Sequence, residues 1–482
     1  MGKEEKQAKG AADTKGKAES AAGDSEEDNI YNLTGKISFG KAIPFGLQHI
    51  LAMFVANIAP VLIVAGACGM TTEEYSRLIQ TAMIIAGVGT LIQLFPIWRI
   101  GSKLPIVMGI SFTFVSVFCY VGPTYGYNAI VGAIIVGGCI EGVLGLLAKY
   151  WIRIIQPIVS ASVVTAIGFS LLSVGATSFG GGSGSETFGS ATNWILGVIT
   201  LVACLLFTIF VKGFLRQLAV LFGLVVGYVI AACAGMVDFS GLLSGSVISL
   251  PQFMHYTPEF NLNAIISVTL IFLVSATETI GDTSALATTG LGREVTQKET
   301  AGSIACDGFI SAVSGLFGCL PITSFSQNVG LVAMTKVVNR RAIASGACIM
   351  ILAGLFPVFG NLLATLPEAV LGGCTIMMFG TICVSGLQMV SRCGFSQRNI
   401  TIVALSLGVG IGFTQVPEIF AVFPQIIQTV FGENCVAVVF VVSLVLNLVL
   451  PKNMETTPGG GGKKEKKGKA QEATEEPAAA EV

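Results

Sequence analysis

Charge is the scarcest resource in this chain. Of its 482 residues only 11% are Asp, Glu, Lys or Arg, less than half of the roughly 25% carried by soluble domains, and a water-facing surface cannot be covered with so few. Residues 1–41 and 452–482 together hold 13 of the 27 basic and 14 of the 28 acidic side chains, leaving 28 charges for the 410 residues between them. That long middle offers no basic face, which excludes nucleic acid as a partner.

Histidine is nearly missing as well, with His49 and His255 the only two. Neither has Cys or carboxylate companions at ligand spacing, so no metal centre is expected. The twelve cysteines stand singly, as at Cys68, Cys139, Cys306 and Cys435, with no CxxC pair. They read as small packing residues, not as a disulfide framework or a zinc site. No nucleophile with a base partner stands in an apolar stretch, so an embedded enzyme is set aside and no catalytic residue or cofactor is expected. A cleavable leader is not expected either, because the first apolar run starts near Ile43, behind a hydrophilic tail.

Apolar length is what the chain has in abundance. It is 53% hydrophobic with a mean hydropathy of +0.79 and contains 59 glycines, a composition suited to helices packed closely in lipid. Fourteen apolar runs of about 17–25 residues, the length that crosses a bilayer core, lie near 43–66, 76–97, 104–120, 127–148, 152–175, 194–211, 217–237, 262–282, 301–319, 322–338, 342–363, 367–388, 399–416 and 434–451. The expected fold is therefore an all-α polytopic membrane protein with 14 transmembrane segments, in the plasma or inner membrane of a cell. If the segments alternate, thirteen of the fourteen basic residues between the tails fall on one side and only Arg77 on the other. The positive-inside rule then places both termini in the cytoplasm.

Three sequence echoes point to an internal duplication. Leu104-Pro105-Ile106 returns as Leu320-Pro321-Ile322, Cys139-Ile140 with Gly145-Leu146 returns as Cys348-Ile349 with Gly354-Leu355, and Pro157 answers Pro367, at shifts of 216, 209 and 210 residues. Seven spans per unit is an odd number, so the second copy sits upside down relative to the first. A 7+7 inverted repeat is a transporter architecture, with substrate held at the midplane between the halves.

Segments 3 and 10 are the unusual ones. Each opens on Leu-Pro-Ile and runs through a short stretch (Val107 to Ser111; Thr323 to Ser326) with extended character, leaving about a dozen residues for helix, short of the ~20 that span. A Pro kink in an ordinary span would explain one such segment. A matched pair in corresponding positions predicts two half-helices whose extended lead-ins line a cavity and whose N-termini present free N–H donors to a ligand.

Acidic side chains inside apolar runs are functional candidates by default, since a charge at membrane depth is expensive unless paired or wet. These are Glu141, Glu278, Asp282 and Asp307, with Glu368 near an end. Glu278 and Asp282 share one helical face. Two carboxylates one turn apart resist being ionised together, which suits a group that takes up and releases a proton. A structural hydrogen-bond network is the competing account of Glu278 and Asp307. Glu141 reads as structural, because its repeat counterpart is Met350. Gln48 and His49, adjacent in the first span, supply a donor and an acceptor in support of a nearby site.

The run Ser326-Gln327-Asn328-Val329-Gly330-Leu331-Val332-Ala333-Met334-Thr335-Lys336 resembles the signature of the nucleobase-ascorbate transporter family, also called nucleobase-cation symporter-2. Gln48-His49, Glu278-Thr279-Ile280-Gly281-Asp282 and Asp307 strengthen the likeness, which covers roughly residues 38–451. What the resemblance implies is a core domain of spans 1–4 and 8–11 (42–148 and 261–364), a gate domain of spans 5–7 and 12–14 (149–260 and 365–451), a homodimer, and an elevator-like displacement of core against gate. The tails, 1–41 and 452–482, fall outside it and read as disordered and cytoplasmic.

By the same resemblance, Glu278 would hold the N–H groups of a nucleobase and Gln327 would make a paired amide contact to its ring edge. Backbone N–H groups at Phe112 and Ser326 would meet carbonyl oxygens, and Phe112 or Phe325 would stack on the ring. Asn328 would fix the start of the half-helix, with Asp307, Asp282 and His49 as the polar network around Glu278. Gln at the first motif position resembles xanthine and uric acid permeases, where uracil permeases have Glu. Gln offers a donor and an acceptor where Glu offers acceptors only, and a mismatch in a buried site discriminates strongly. The reading is thus proton symport of a purine nucleobase, with protons favoured over sodium because the carboxylates lack a cage of further oxygen ligands. A uracil or other nucleobase permease, or a sulfate-type anion transporter of the same fold, is the alternative, although carboxylates at the site argue against an anion.

Overall fold

The computed structural model describes residues 28–182, 184–240, 242, 247–424, 427–432 and 434–451. The tails 1–27 and 452–482, expected to be disordered, lie outside the described residues. In chain order the elements are α1 (Phe39–Ala67), α2 (Thr72–Leu94), β1 (Met108–Ile110), α3 (Val115–Tyr125), α4 (Tyr127–Leu146), α5 (Pro157–Phe179), α6 (Ala191–Phe210), α7 (Ala219–Cys233), α8 (Leu262–Leu291), α9 (Gln297–Leu316), β2 (Ile322–Ser324), α10 (Ser326–Thr335), α11 (Arg340–Leu355), α12 (Pro357–Ala364), α13 (Glu368–Cys393), α14 (Gln397–Thr414) and α15 (Cys435–Val449). Helix is the element that satisfies its own backbone without water, which is why apolar length becomes helix here. Among the described residues, eight helices are long and apolar enough to cross a membrane, and α11 with α12, bent by 77° between them, makes a ninth when taken as one. The remaining apolar runs fall on α3, α9, α10, α14 and α15, which are shorter or less apolar.

Local sequence sets the helix ends. Thr71 and Glu74 cap α2 reciprocally, and Thr296 and Glu299 do the same for α9, each satisfying orphan N–H donors of a first turn. Pro157 occupies the first turn of α5, where its missing N–H is no loss. α8 ends on Gly292 in the left-handed region, φ 63°, a conformation glycine adopts without strain.

The helices pack in two groups. α4 lies along α9 and α8, and α11 along α1 and α2; separately, α5 lies along α13, α6 along α7 and α13, and α14 along α15. Glycine permits the tightest of these contacts. A methyl at Gly138 on α4 would stand 2.7 Å from both Ala312 N and Gly308 O on α9, so only a residue without Cβ lets the two backbones meet.

Two features anchor the ends of the bundle. Arg398 of α14, 2% exposed, donates to Asn447 O (2.6 Å), Asn447 Oδ1 (3.0 Å), Leu450 O (3.5 Å) and Gln156 Oε1 (3.1 Å). A guanidinium is thereby held at the C-terminal end of α15, where free carbonyls and the helix dipole favour a cation, and it ties α14 and α15 to the start of α5. Arg398→Ala is expected to destabilise the protein by about 2–4 kcal/mol. The check is the melting temperature of the detergent-solubilised chain, which should fall by several degrees. On the opposite side of the sequence, the tail expected to be disordered through residue 41 is folded from Asp28. Ile30 O accepts from Val338 N (3.3 Å) and Asn339 N (3.2 Å), Leu33 O from Arg340 N (3.2 Å), and Asn339 Nδ2 donates to Asn32 O (3.1 Å) and Gly35 O (3.0 Å). Ile30 and Ile37 are buried against Val337 and Ala342. Apolar side chains spaced among the polar ones explain why this stretch folds where composition alone suggested a tail.

Candidate functional site

At the centre of the molecule β1 and β2 pair antiparallel, Met108 opposite Ser324, Gly109 opposite Thr323 and Ile110 opposite Ile322. The ladder continues as Phe325 N donating to Val107 O (2.9 Å) and Ser111 N to Pro321 O (3.2 Å). Met108 and Ser324 stand 216 residues apart, the same interval as the two Leu-Pro-Ile tripeptides. A two-stranded ribbon has two open edges, and in an apolar interior each outward N–H must find an acceptor. Four side chains from three helices supply them. Asn57 Oδ1 accepts from Ile110 N (2.7 Å), Thr90 Oγ1 from Met108 N (2.9 Å), Ser311 Oγ from Ile322 N (3.1 Å) and Asp307 Oδ2 from Ser324 N (3.0 Å).

A half-length helix leaves each strand. β1 passes through one 3-10 turn, Phe112–Phe114, into the 11 residues of α3, and β2 passes through Phe325 into the 10 residues of α10. Ser326 thus belongs to the helix, not to the extended stretch in which the sequence reading placed it. No side chain caps the first turn of α10; Asn328 N donates to Phe325 O (3.1 Å), and the N–H groups of Ser326 and Gln327 are left toward the space in front of the ribbon.

Glu278 and Asp282 of α8 face that space. Thr113 Oγ1, at the start of the first unit, donates to Glu278 Oε2 (2.7 Å), and Ser326 Oγ, at the start of the second, reaches Glu278 Oε1 (3.2 Å) and Asp282 Oδ2 (2.6 Å). One carboxyl is therefore addressed by both strand–helix units. Neither Arg77–Glu73 nor Arg293–Glu299, the described ion pairs, involves these carboxyls.

Asp307 has a different place from the one read for it. Fully buried on α9, it accepts from Ser324 N (3.0 Å), Ser324 Oγ (3.0 Å), Thr279 Oγ1 (2.7 Å) and Gln93 Nε2 (3.1 Å). It is the acceptor that fastens β2 to α2, α8 and α9, and it meets the Glu278 cluster only through neighbours along the chain. His49 likewise joins no network around Glu278: it is buried on α1 and neither ring nitrogen has a hydrogen-bond partner among the described residues. Gln48 beside it is half-buried.

The remaining residues of the sequence reading gather at the ribbon. Asn328 is buried, with Nδ2 3.8 Å from Met53 Sδ and Oδ1 unpartnered among the described residues. Gln327, one residue earlier, is half-buried. Phe325 packs over Gly109, where a methyl would stand 2.9 Å from its ring. Phe112 sets its ring edge-on to Phe379 of α13, centroids 5.3 Å apart at 82°, so the first unit touches the other group of helices here. Thr113, Ser324, Thr279 and Gln93 escaped the sequence reading. Thr113 lies two residues past the first extended run and Ser324 within the second, and both could have been found by asking which hydroxyls flank the half-helix starts; Gln93 acts across 214 residues and left no local signal.

Outside the ribbon, His255, to which the sequence reading gave no role, stands 3.1 Å from an Arg77 guanidinium nitrogen, and Arg77 also pairs with Glu73 at 2.6 Å. The one basic residue that the sequence sets apart from the other thirteen thus has partners of its own.

Comparison with known proteins gives a consistent picture. The family model Xan_ur_permease, described as a permease family, matches residues 40–419. The chain is 33% identical to the xanthine permease XanQ of Escherichia coli strain K12 over 439 residues, 88% of this chain and 94% of that protein. It is 36% identical to the uric acid permease PucK of Bacillus subtilis strain 168 over 393 residues, 81% of this chain and 91% of that protein. Among solved structures, the transmembrane domain of the cyanobacterial bicarbonate transporter BicA superposes with a TM-score of 0.54 at 15% identity, covering 86% of this chain and 99% of the other. SLC26A9 superposes with a TM-score of 0.59 at 13% identity, covering 85% and 66%. These two likenesses concern the fold alone.

Proposed function

Because this chain belongs to the nucleobase-cation symporter-2 permease family, we propose that it imports a purine nucleobase, xanthine or uric acid, together with a proton. It is a transporter, not an enzyme. The observation that carries the reading is the position of Glu278, which takes a hydroxyl from the start of each strand–helix unit. A neutral oxopurine presents ring N–H donors beside C=O acceptors on a flat apolar body. Glu278 accepts from the N–H groups, Gln327 pairs an acceptor and a donor with the ring edge, and the open N–H groups at Phe112 and Ser326 donate to the carbonyls. Phe112 or Phe325 covers the ring face, and Asn328 holds the first turn of α10 in place.

The proposed architecture is fourteen spans in a 7+7 inverted repeat. The 216-residue interval across the ribbon and the matching capping boxes that open α2 and α9 support it. In this reading α1 to α4 and α8 to α12 form the body that carries substrate, and α5 to α7 with α13 to α15 form the gate, in line with the two packing groups. The carrying body slides past the gate as an elevator, with Phe112 against Phe379 at the seam. A homodimer in the plasma or inner membrane, both termini cytoplasmic, completes the proposal. Protons are favoured over sodium because Glu278 and Asp282 converge on one serine hydroxyl. An anion substrate, suggested by fold likeness alone, would sit beside two carboxylates and is disfavoured.

Uptake of radiolabelled xanthine into proteoliposomes, with uric acid and uracil as competitors, before and after collapse of the proton gradient, tests the reading. Gradient-dependent uptake blocked by uric acid and untouched by uracil is the expected result; gradient-independent flux removes the coupling. Gln327→Glu replaces the one donor that the substrate's ring edge requires. It is expected to weaken xanthine uptake about 10–100-fold while sparing protein level, and a competition series unchanged from the parent would remove Gln327 from recognition.

A further inference from the structure

Glu141 stands outside the site described above. It lies on α4 with no exposed surface, and neither carboxyl oxygen has a hydrogen-bond partner among the described residues. Asp307, buried on the adjoining helix, shows what a structural carboxyl looks like in this protein: four donors converge on it. Glu141 has none of that fastening.

The space it occupies is walled by backbones at close quarters. α4 presses on α9 at Gly138, where a methyl would lie 2.7 Å from Ala312 N, and at Gly142, where one would lie 2.8 Å from the Phe309 ring. On the α8 side, the Ser275 hydroxyl stands beside the carboxyl without a fully formed hydrogen bond, and it too is buried and unpartnered among the described residues. The charged groups acting on Glu141 are Asp307 from α9 and Glu278 from α8; Lys149, in the turn that follows α4, is exposed. A packing role needs no carboxyl here. One turn along α8 from Ser275, the Thr279 hydroxyl donates to Asp307, and Glu278 lies between Ser275 and Thr279 in sequence.

We propose that Glu141 is a second proton-holding residue of the transport cycle, loaded in this conformation and exchanging its proton with the Glu278 and Asp282 cluster past Ser275. The inference rests on the proton-coupled reading above. In the exchange, Glu141 passes its proton to Ser275 Oγ as Ser275 releases its own hydroxyl proton onward. One carboxylic acid becomes a carboxylate and one carboxylate of the cluster becomes an acid, with no net change of charge. Glu141 touches no substrate in this scheme; it sets when the cluster is protonated.

The test uses the full chain in proteoliposomes with xanthine as the probe. Two assays are run on each variant: exchange of labelled for unlabelled xanthine at equal pH, and accumulation driven by a pH gradient across a range of external pH. Glu141→Gln keeps the shape and removes the proton. It is expected to exchange at the parent rate, to accumulate xanthine at least about tenfold less, and to lose the pH dependence of accumulation. A purely structural role would lower both assays together and leave the profile's shape alone, which overturns the proposal. Accumulation and profile both matching the parent also overturn it, while leaving the transport reading intact. If the unaltered chain shows no gradient-driven accumulation, the functional reading and this proposal fall together. Ser275→Ala, which retains Glu141, provides the second variant. Should Glu141→Gln not reach the membrane, the same split between exchange and accumulation is expected of Ser275→Ala, and unchanged coupling in it overturns the proposal.

Discussion

Glu278→Gln is expected to abolish gradient-driven accumulation of xanthine, lowering initial uptake by about 100-fold, the factor that ~3 kcal/mol of lost charge-assisted hydrogen bonding produces. The carboxyl accepts from Thr113 at 2.7 Å and from Ser326 at 3.2 Å. An amide in its place keeps the volume but turns one acceptor into a donor, which then points at a hydroxyl or at a substrate N–H. Protein level in the membrane should be unchanged, because Glu278 is satisfied at the edge of the site and does not fasten one strand to the bundle. Residual exchange with no accumulation assigns Glu278 to coupling as well as to binding. Accumulation equal to that of the parent would take Glu278 out of the mechanism.

Asp307→Ala should have an effect as large by another route. Removing this side chain leaves Ser324 N–H without its acceptor and opens a void, while the Gln93 amide and the Thr279 and Ser324 hydroxyls each lose one acceptor and fall back on Ser303 and Ser275 O. An unsatisfied donor of this kind costs about 1–3 kcal/mol, and the void and the lost acceptors add to it, so a loss of about 3–5 kcal/mol in stability is expected. Since β2 is fastened by this residue, uptake should fall below detection even where some protein survives. The measurements are the melting temperature of the solubilised protein and xanthine binding to it. Loss of binding without any drop in melting temperature would show that Asp307 contacts substrate directly and that its place as an anchor is wrong.

The two mutations separate what sequence reasoning could see from what it could not. Apolar length maps onto helix because the physics is local: a run of leucine, valine and glycine in lipid has only one way to satisfy its backbone. The same local reasoning found Leu-Pro-Ile twice and placed extended backbone after it, and it found Glu278 and Asp282 because they share one helical face. It failed where a role depends on contacts across the chain. The resemblance puts Asp307 in the Glu278 network, with a structural role as the competing account; only the antiparallel ribbon, joining residues 216 apart, reveals that β2 has an edge for it to close. His49 is placed in that network by the family resemblance, and its ring meets no hydrogen-bond partner among the described residues. Residues 28–38 were given to a disordered tail by their neighbours' charges, although Ile30 and Ile37 are buried. Composition averaged over forty residues hides two well-placed side chains.

That folded lead-in has a practical consequence for watching the protein work. The backbone hydrogen bonds from Val338, Asn339 and Arg340 to Ile30 and Leu33 clamp the start of the described chain to the connector that joins α10, the half-helix leaving β2, to α11. A fluorophore attached just ahead of Asp28 would ride on the proposed carrying body like a pointer on a lever, and a second dye on α14 or α15 would stand on the other. Energy transfer between the two would then test the proposed sliding of one body past the other in single molecules, without a label beside Glu278.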